Sequence, residues 1–160
     1  MQRRTLLGLS LVGAAGLALS GCGFRLRGFD TPEAQLDDLA LAGTDSDLAR
    51  LIRERLEDAG TRVHGGAERV LTLGQPDVRH RRLSVLDTGP REEEMTLSAP
   101  FSVQRAGDGA YLLDQQRLDV STRYTVSDAN LLIQDDLREE ALDELREAAV
   151  RQLLNRLRAL

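Results

Sequence analysis

The chain has 160 residues, 41% of them hydrophobic, and a formal net charge of −5, enough for one domain with a proper core and too few for two comfortable ones. That acidic balance excludes the basic footprint of a nucleic-acid-binding domain. One cysteine, two histidines and no tryptophan are poor material for a zinc site, a thiol redox pair or an intramolecular disulfide, so neither metal nor cofactor is expected.

The first 21 residues read as a secretory signal peptide. Arg3 and Arg4 form a basic head, Leu6 to Leu19 an apolar run broken only by Gly, Ala and Ser, and small residues lead into Cys22. The apolar run is shorter than the roughly 18 to 20 residues a spanning helix needs. Leu19-Ser20-Gly21-Cys22 resembles the lipobox of bacterial lipoproteins, in which the thiol receives a diacylglyceryl group, the signal is cut before it and the new amine is acylated, with palmitate as a usual chain. That resemblance implies that Cys22 is the first mature residue and the lipidation site. Acyl chains on one residue satisfy the two-signal requirement for stable anchoring, each buried methylene adding roughly 0.8 kcal/mol. Gly23 stands where an Asp would resemble the inner-membrane retention signal, so sorting to the outer membrane, facing the periplasm, is expected. Cleavage leaves 139 of the 160 residues, and loss of Arg3 and Arg4 takes the mature chain to about −7.

Cys22-Gly23-Phe24-Arg25-Leu26-Arg27 then resembles the mature start of the LptE family of LPS-assembly lipoproteins, which typically reads Cys-Gly-aromatic-basic-Leu-Arg. Phe24 and Leu26 can dip toward a membrane or partner wall while Arg25 and Arg27 meet anionic groups. Phe29-Asp30-Thr31-Pro32 continues as an extended linker, giving a lipid-anchored tether over 22–35 and a domain over 36–160.

Leu36 to Ala42 offers a short strand ended by Gly43. Leu48, Leu51, Ile52, Leu56 and Ala59 fall on one helical face, with Thr44 or Ser46 as cap and Gly60 as closure. Arg62-Val63-His64 completes a candidate right-handed crossover. After Gly65-Gly66, Val70, Leu71 and Leu73 open a long extended region reaching Leu86, in which Pro76, lacking a donor, belongs at a bulge or unpaired edge. Alternation there puts Arg79 and Arg81 on one face, His80 and Arg82 on the other.

Asp87-Thr88-Gly89-Pro90 is turn chemistry, followed by Arg91 and the acidic run Glu92-Glu93-Glu94. Met95, Leu97, Ala99, Phe101 and Val103 alternate strictly with polar residues, which predicts a half-buried strand, although Pro100 argues against a central place for it. Gly107-Asp108-Gly109 turns the chain into Tyr111 to Val126, another alternating strand, predicting an antiparallel hairpin. Ser127 to Asn130 can cap a last helix running to Leu160, with acids early and Arg151, Arg156 and Arg158 late.

The expected fold is therefore α+β, a two-layer sandwich of two helices on a mixed four-stranded sheet in the order β-α-β-β-β-α. The sheet's other face, with Thr96, Ser98, Ser102, Gln104, Asp119, Ser121, Arg123 and Thr125, is polar and should meet water or a partner. No catalytic constellation emerges: the serines lie on predicted strands without a nucleophile elbow, and the Gly-rich turns lack the following helix of a phosphate cradle. Arg79, Arg81, Arg82 and Arg91 cluster near one end of the sheet if their strands pair, and arginine forks suit the phosphates of lipid A. A solvated basic strand end, partly answered by Glu92 to Glu94, is the alternative.

The family resemblance implies no catalysis. It implies a plug and assembly partner of the LptD β-barrel, helping lipopolysaccharide reach the outer leaflet, with basic residues near one end of the sheet engaged with LPS. The other reading is a lipid-anchored periplasmic binding module or adaptor for another envelope complex. In either case Cys22→Ser should leave an unacylated chain that fractionates away from membranes, read by intact mass and by membrane flotation; an unmodified thiol in the unaltered native protein would defeat the assignment.

Overall fold

The computed structural model describes residues 36–83, 89–127 and 131–160. The leader, Cys22 and the tether, Asp87-Thr88 and the expected cap over 128–130 lie outside the described residues. The elements are β1 (Asp38–Gly43), α1 (Asp47–Asp58), β2 (Arg62–Val63), β3 (Arg69–Leu73), β4 (Asp77–Arg82), β5 (Arg91–Arg105), β6 (Tyr111–Val126) and α2 (Leu131–Leu157). The sheet has six strands rather than the expected four. Two details make the difference: Arg62-Val63 is a true, if minimal, strand, and the long extended region is broken into β3 and β4.

β1 runs parallel to both β2 and β3, β5 runs antiparallel to β3, β4 and β6, and the class is the mixed α+β sheet with two helices that the sequence predicts. β3 and β4 lie end to end along the same edge of β5. Leu73 faces Phe101 and Asp77 faces Ser98, so four steps on one strand match three on the other, a one-residue bulge at Gly74-Gln75-Pro76.

The bulge has a cause across the ladder. β5 is central, contrary to the expectation raised by Pro100, and Pro100 sits on the edge facing β3 and β4. Its carbonyl accepts the Gly74 N–H at 2.8 Å, but it has no N–H to return. The partner strand breaks at that point, where a Cβ on Gly74 would lie 2.7 Å from Pro100 Cγ. A proline is tolerated inside the sheet because its neighbour yields.

Alternation decides what is buried. Met95, Leu97, Ala99, Phe101 and Val103 are all buried and their neighbours are not, joined by Leu71, Leu73 and Leu118 on the same face. α1 turns Leu48, Ile52 and Leu56 onto this layer, and α2 turns Ala141, Leu145, Ala149, Leu153 and Leu157. Each large aliphatic so buried stabilises by about 1.5–3 kcal/mol. The two helices are also clamped by Arg55 Nη2 to Glu147 Oε1 at 2.5 Å and Arg146 Nη2 to Asp47 Oδ2 at 3.0 Å. The Glu147 hydrogen bond is the main reason the Arg55 guanidinium holds its proton more firmly than usual.

Local signals behave as read. Ser46 caps α1 by accepting the Ala49 N–H, and Gly60 closes it at φ +89. The Gly107-Asp108-Gly109 turn closes the hairpin with Arg105 N–H to Ala110 O at 2.9 Å. The last helix ends at Leu157, three residues before the expected Leu160. Among the described residues no helix is long and apolar enough to cross a membrane.

β1 ends where Gly43 adopts φ +108, and a Cβ there would stand 2.0 Å from the Leu73 carbonyl oxygen. Gly43→Ala should therefore destabilise by at least about 2 kcal/mol, from strain and clash together, read as a lower urea midpoint with unchanged slope. An unaltered midpoint would refute this description of the β1–α1 junction.

Candidate functional site

The end of the sheet formed by β4, the start of β5 and the finish of β6 gathers the charged residues singled out above. Arg81 faces Glu94 and Arg82 faces Glu93 across β4–β5. Glu93 faces Tyr124, Glu94 faces Arg123 and Arg91 faces Val126 across β5–β6. All four predicted arginines thus stand at one end of the sheet, on two faces. Arg79 and Arg81 project from the polar outer face, Arg82 and Arg91 from the face that carries the core.

On the outer face the cations are answered by carboxylates. Arg79 Nε donates to Asp77 Oδ2 at 2.7 Å. Arg81 donates through Nε and Nη2 to Glu94 Oε2 at 3.1 and 2.7 Å, and Arg123 Nε lies 3.8 Å from Glu94 Oε1 on the other side. Glu94, only 16% exposed, is held between two arginines from flanking strands. Such pairs fix geometry more than they stabilise, because Arg79, Arg81 and Arg123 remain largely in water. Arg82 makes no ion pair among the described residues, and Arg91 is half-buried.

On the inner face a hydrogen-bonded hub marks the end of the apolar core. Tyr124 donates its hydroxyl proton to Glu93 Oε2 at 2.9 Å, with His80 Nδ1 at 3.3 Å; Arg138 from α2 also bonds the phenol oxygen. Burial is the largest cause raising the Tyr124 pKa, reinforced by the Glu93 carboxylate and opposed by Arg138. Burial works against the charge of Arg138, yet its hydrogen bonds to Tyr124 and Asp135 outweigh this and its pKa is raised. The hub joins β4, β5, β6 and α2. Sequence reasoning missed Tyr124, Glu93 and Arg138 as a unit: two register shifts in β6, one beside Gln115 at φ +44, hide which residue faces Glu93.

The chemistry available is recognition by charge and shape. Among the described residues neither histidine meets a serine: His64 Nδ1 accepts the Gly66 N–H and His80 meets Tyr124. No group of three metal-ligating side chains occurs among the described residues. The outer-face residues Asp119, Ser121, Arg123 and Thr125 are exposed and Thr96, Ser98, Ser102 and Gln104 half-buried, leaving a polar surface opposite the helices.

Comparison with known proteins agrees with this architecture. The LptE family, described as lipopolysaccharide-assembly, matches residues 26–157. The LPS-assembly lipoprotein LptE of Pectobacterium atrosepticum is 30% identical over 156 residues, covering 92% of this chain and 82% of that protein. Its counterpart in Photorhabdus laumondii is 32% identical over 155 residues, covering 90% and 83%. The solution structure of lipoprotein B from Nitrosomonas europaea superposes with a TM-score of 0.69 at 16% identity, covering 82% of this chain and 91% of that one, which is a likeness of fold. The chain belongs to the LptE family.

The hub generates a stability prediction with a pH signature. Tyr124→Phe should cost about 1–2 kcal/mol at pH 7, since Glu93 loses a donor in a half-buried site. Because the folded-state pKa of Tyr124 is raised, its contribution is whole below the ordinary tyrosine pKa and is lost as pH rises through the folded value. Urea unfolding at pH 7 and 11 should show a smaller alkaline loss in the variant than in the unaltered chain; equal losses would remove Tyr124 from that role.

Proposed function

We propose that this chain is an outer-membrane lipoprotein, anchored through acylated Cys22 and facing the periplasm, that acts without catalysis as plug and assembly partner of an LptD-like β-barrel in the transport and insertion of lipopolysaccharide. Membership of the LptE family supports the pathway. The observation that carries the mode of action is the division of the sheet. One face is dried by two helices, while the other offers Ser121, Arg123, Thr125 and their neighbours at an open surface.

The interior of a large membrane barrel is polar, and a compact domain with one polar sheet face is suited to lie in it without stranding apolar surface. A lipid tether of residues 22–35 holds such a domain at the membrane without spanning it. In the same reading Arg79, Arg81, Arg82 and Arg91 form the LPS-facing end, where guanidinium groups suit the phosphates of lipid A, Arg79 and Arg81 doing so beside the Asp77 and Glu94 that already hold them. Arg82 is the best placed of these, being exposed and without an internal carboxylate among the described residues.

Depletion of the protein should reduce LPS at the cell surface, and affinity recovery of the tagged full chain from detergent extracts should bring the barrel with it. Normal surface LPS together with no recovered barrel would reject the proposal. Arg82→Gln should weaken retention on LPS aggregates without lowering the unfolding free energy by more than about 0.5 kcal/mol.

A further inference from the structure

Among the described residues the sheet protects two of its margins and leaves a third bare. β2, at one end, is only two residues long. Along β6 the helix α2 runs beside the strand, and the outward N–H of Asp119 is taken by Gln152 Oε1 at 3.2 Å. Among the described residues β4 has no such cover: β1 stops at Gly43 opposite Leu73, and all six residues of β4 are exposed.

Hydrogen-bond parity says which groups β4 offers. Leu83 N–H donates to Glu92 O at 2.9 Å, and the two residues continue the register in which Arg81 faces Glu94. In an antiparallel ladder bonded and non-bonded pairs alternate, so Asp77, Arg79 and Arg81 bond β5. The N–H and C=O of Val78, His80 and Arg82 face outward, three successive positions of an open edge.

We infer that this edge of β4 is completed by an extended segment of the partner barrel that carries carboxylates at alternate positions and adds to the sheet as a further antiparallel or parallel strand. The inference rests on the barrel reading above and deepens it by naming the contact. Charge selects the occupant. β4 carries Arg79, Arg81 and Arg82; Asp77 pairs with Arg79 and Glu94 of β5 with Arg81, which leaves the edge, among the described residues, with the unanswered charge of Arg82 on a chain of net charge −5. A second copy is disfavoured: antiparallel pairing about His80 sets Arg79 against Arg81, and in-register parallel pairing sets each arginine against its own kind. An acidic strand would give Arg82 its first carboxylate among the described residues and would add a second to Arg79 and Arg81, which keep 81% and 70% of their side chains exposed beside Asp77 and Glu94, while main-chain bonds supply affinity.

Amide hydrogen exchange on the full chain, free and bound to the barrel, tests this directly. In the free chain Val78, His80 and Arg82 should exchange rapidly and Arg79 and Arg81 slowly. In the complex the first three should slow by about tenfold or more. Val78→Pro, which removes an outward N–H and no internal bond, should lower barrel recovery about fivefold or more, with folding checked by its urea midpoint. If the barrel is recovered by the unaltered chain but the three amides stay fast, the edge proposal fails and the barrel reading stands. If the unaltered chain recovers no barrel, that reading falls and the edge proposal with it. Protection of the three amides in a concentration-dependent dimer without the barrel would identify a second copy as the occupant and overturn the acidic strand.

Discussion

The missing N–H of Pro100 is the constraint to which the sheet adapts. A proline in a central strand removes one rung of the ladder, and the only strand that can absorb the loss is the one it faces. That strand yields at Gly74-Gln75-Pro76, where the absence of a Cβ permits close approach to the Pro100 ring and a second proline needs no donor of its own. The consequence is a division of labour. β3 stays inside the sheet, bonded to β1 and β5, and contributes Leu71 and Leu73 to the core. β4, beyond the bulge, keeps only β5 as neighbour among the described strands and is free to carry charge.

Much of this was legible in the sequence because it depends on period. The alternation from Met95 to Val103 and from Leu118 to Val126 gave the dry and wet faces of the hairpin, and the 3.6-residue spacing of Leu48, Ile52 and Leu56 gave the buried stripe of α1. Pro76 announced its bulge through its own chemistry. The central place of β5 was not legible, because a proline within a strand counts against burial in the sheet unless the compensating break is known, and that break lies 24 to 26 residues earlier in the chain. The two-residue β2 was visible only as part of a crossover, since so short a pairing has no period.

At the charged end, the arginines could be gathered from sequence because strand pairing alone brings Arg82 and Arg91 together. Their separation onto two faces followed from alternation. What could not be read was the set of partners. Glu94 is flanked by Arg81 and Arg123, and Tyr124 is shared by Glu93, His80 and Arg138; each contact crosses strands or layers, and the bulges of β6 shift the register that would predict them. The outer-face arginines are thus held in place by carboxylates, while Arg82 is exposed and has no carboxylate partner among the described residues. An acidic protein that concentrates cations on one uncovered strand has arranged its field locally rather than globally.

The hairpin of β5 and β6 also bears on how the chain finds its fold. Joining these two long strands closes only the short segment 106–110, whereas aligning β1 with β3 must bring together ends separated by residues 44–68, and the entropic cost of closure rises with the length enclosed. The ribbon can therefore zip from its turn before the amino-terminal strands have a register to join. In a chain tethered at its amino terminus, as proposed above, that order would let the more distant half organise itself first and present a finished template to the tethered half.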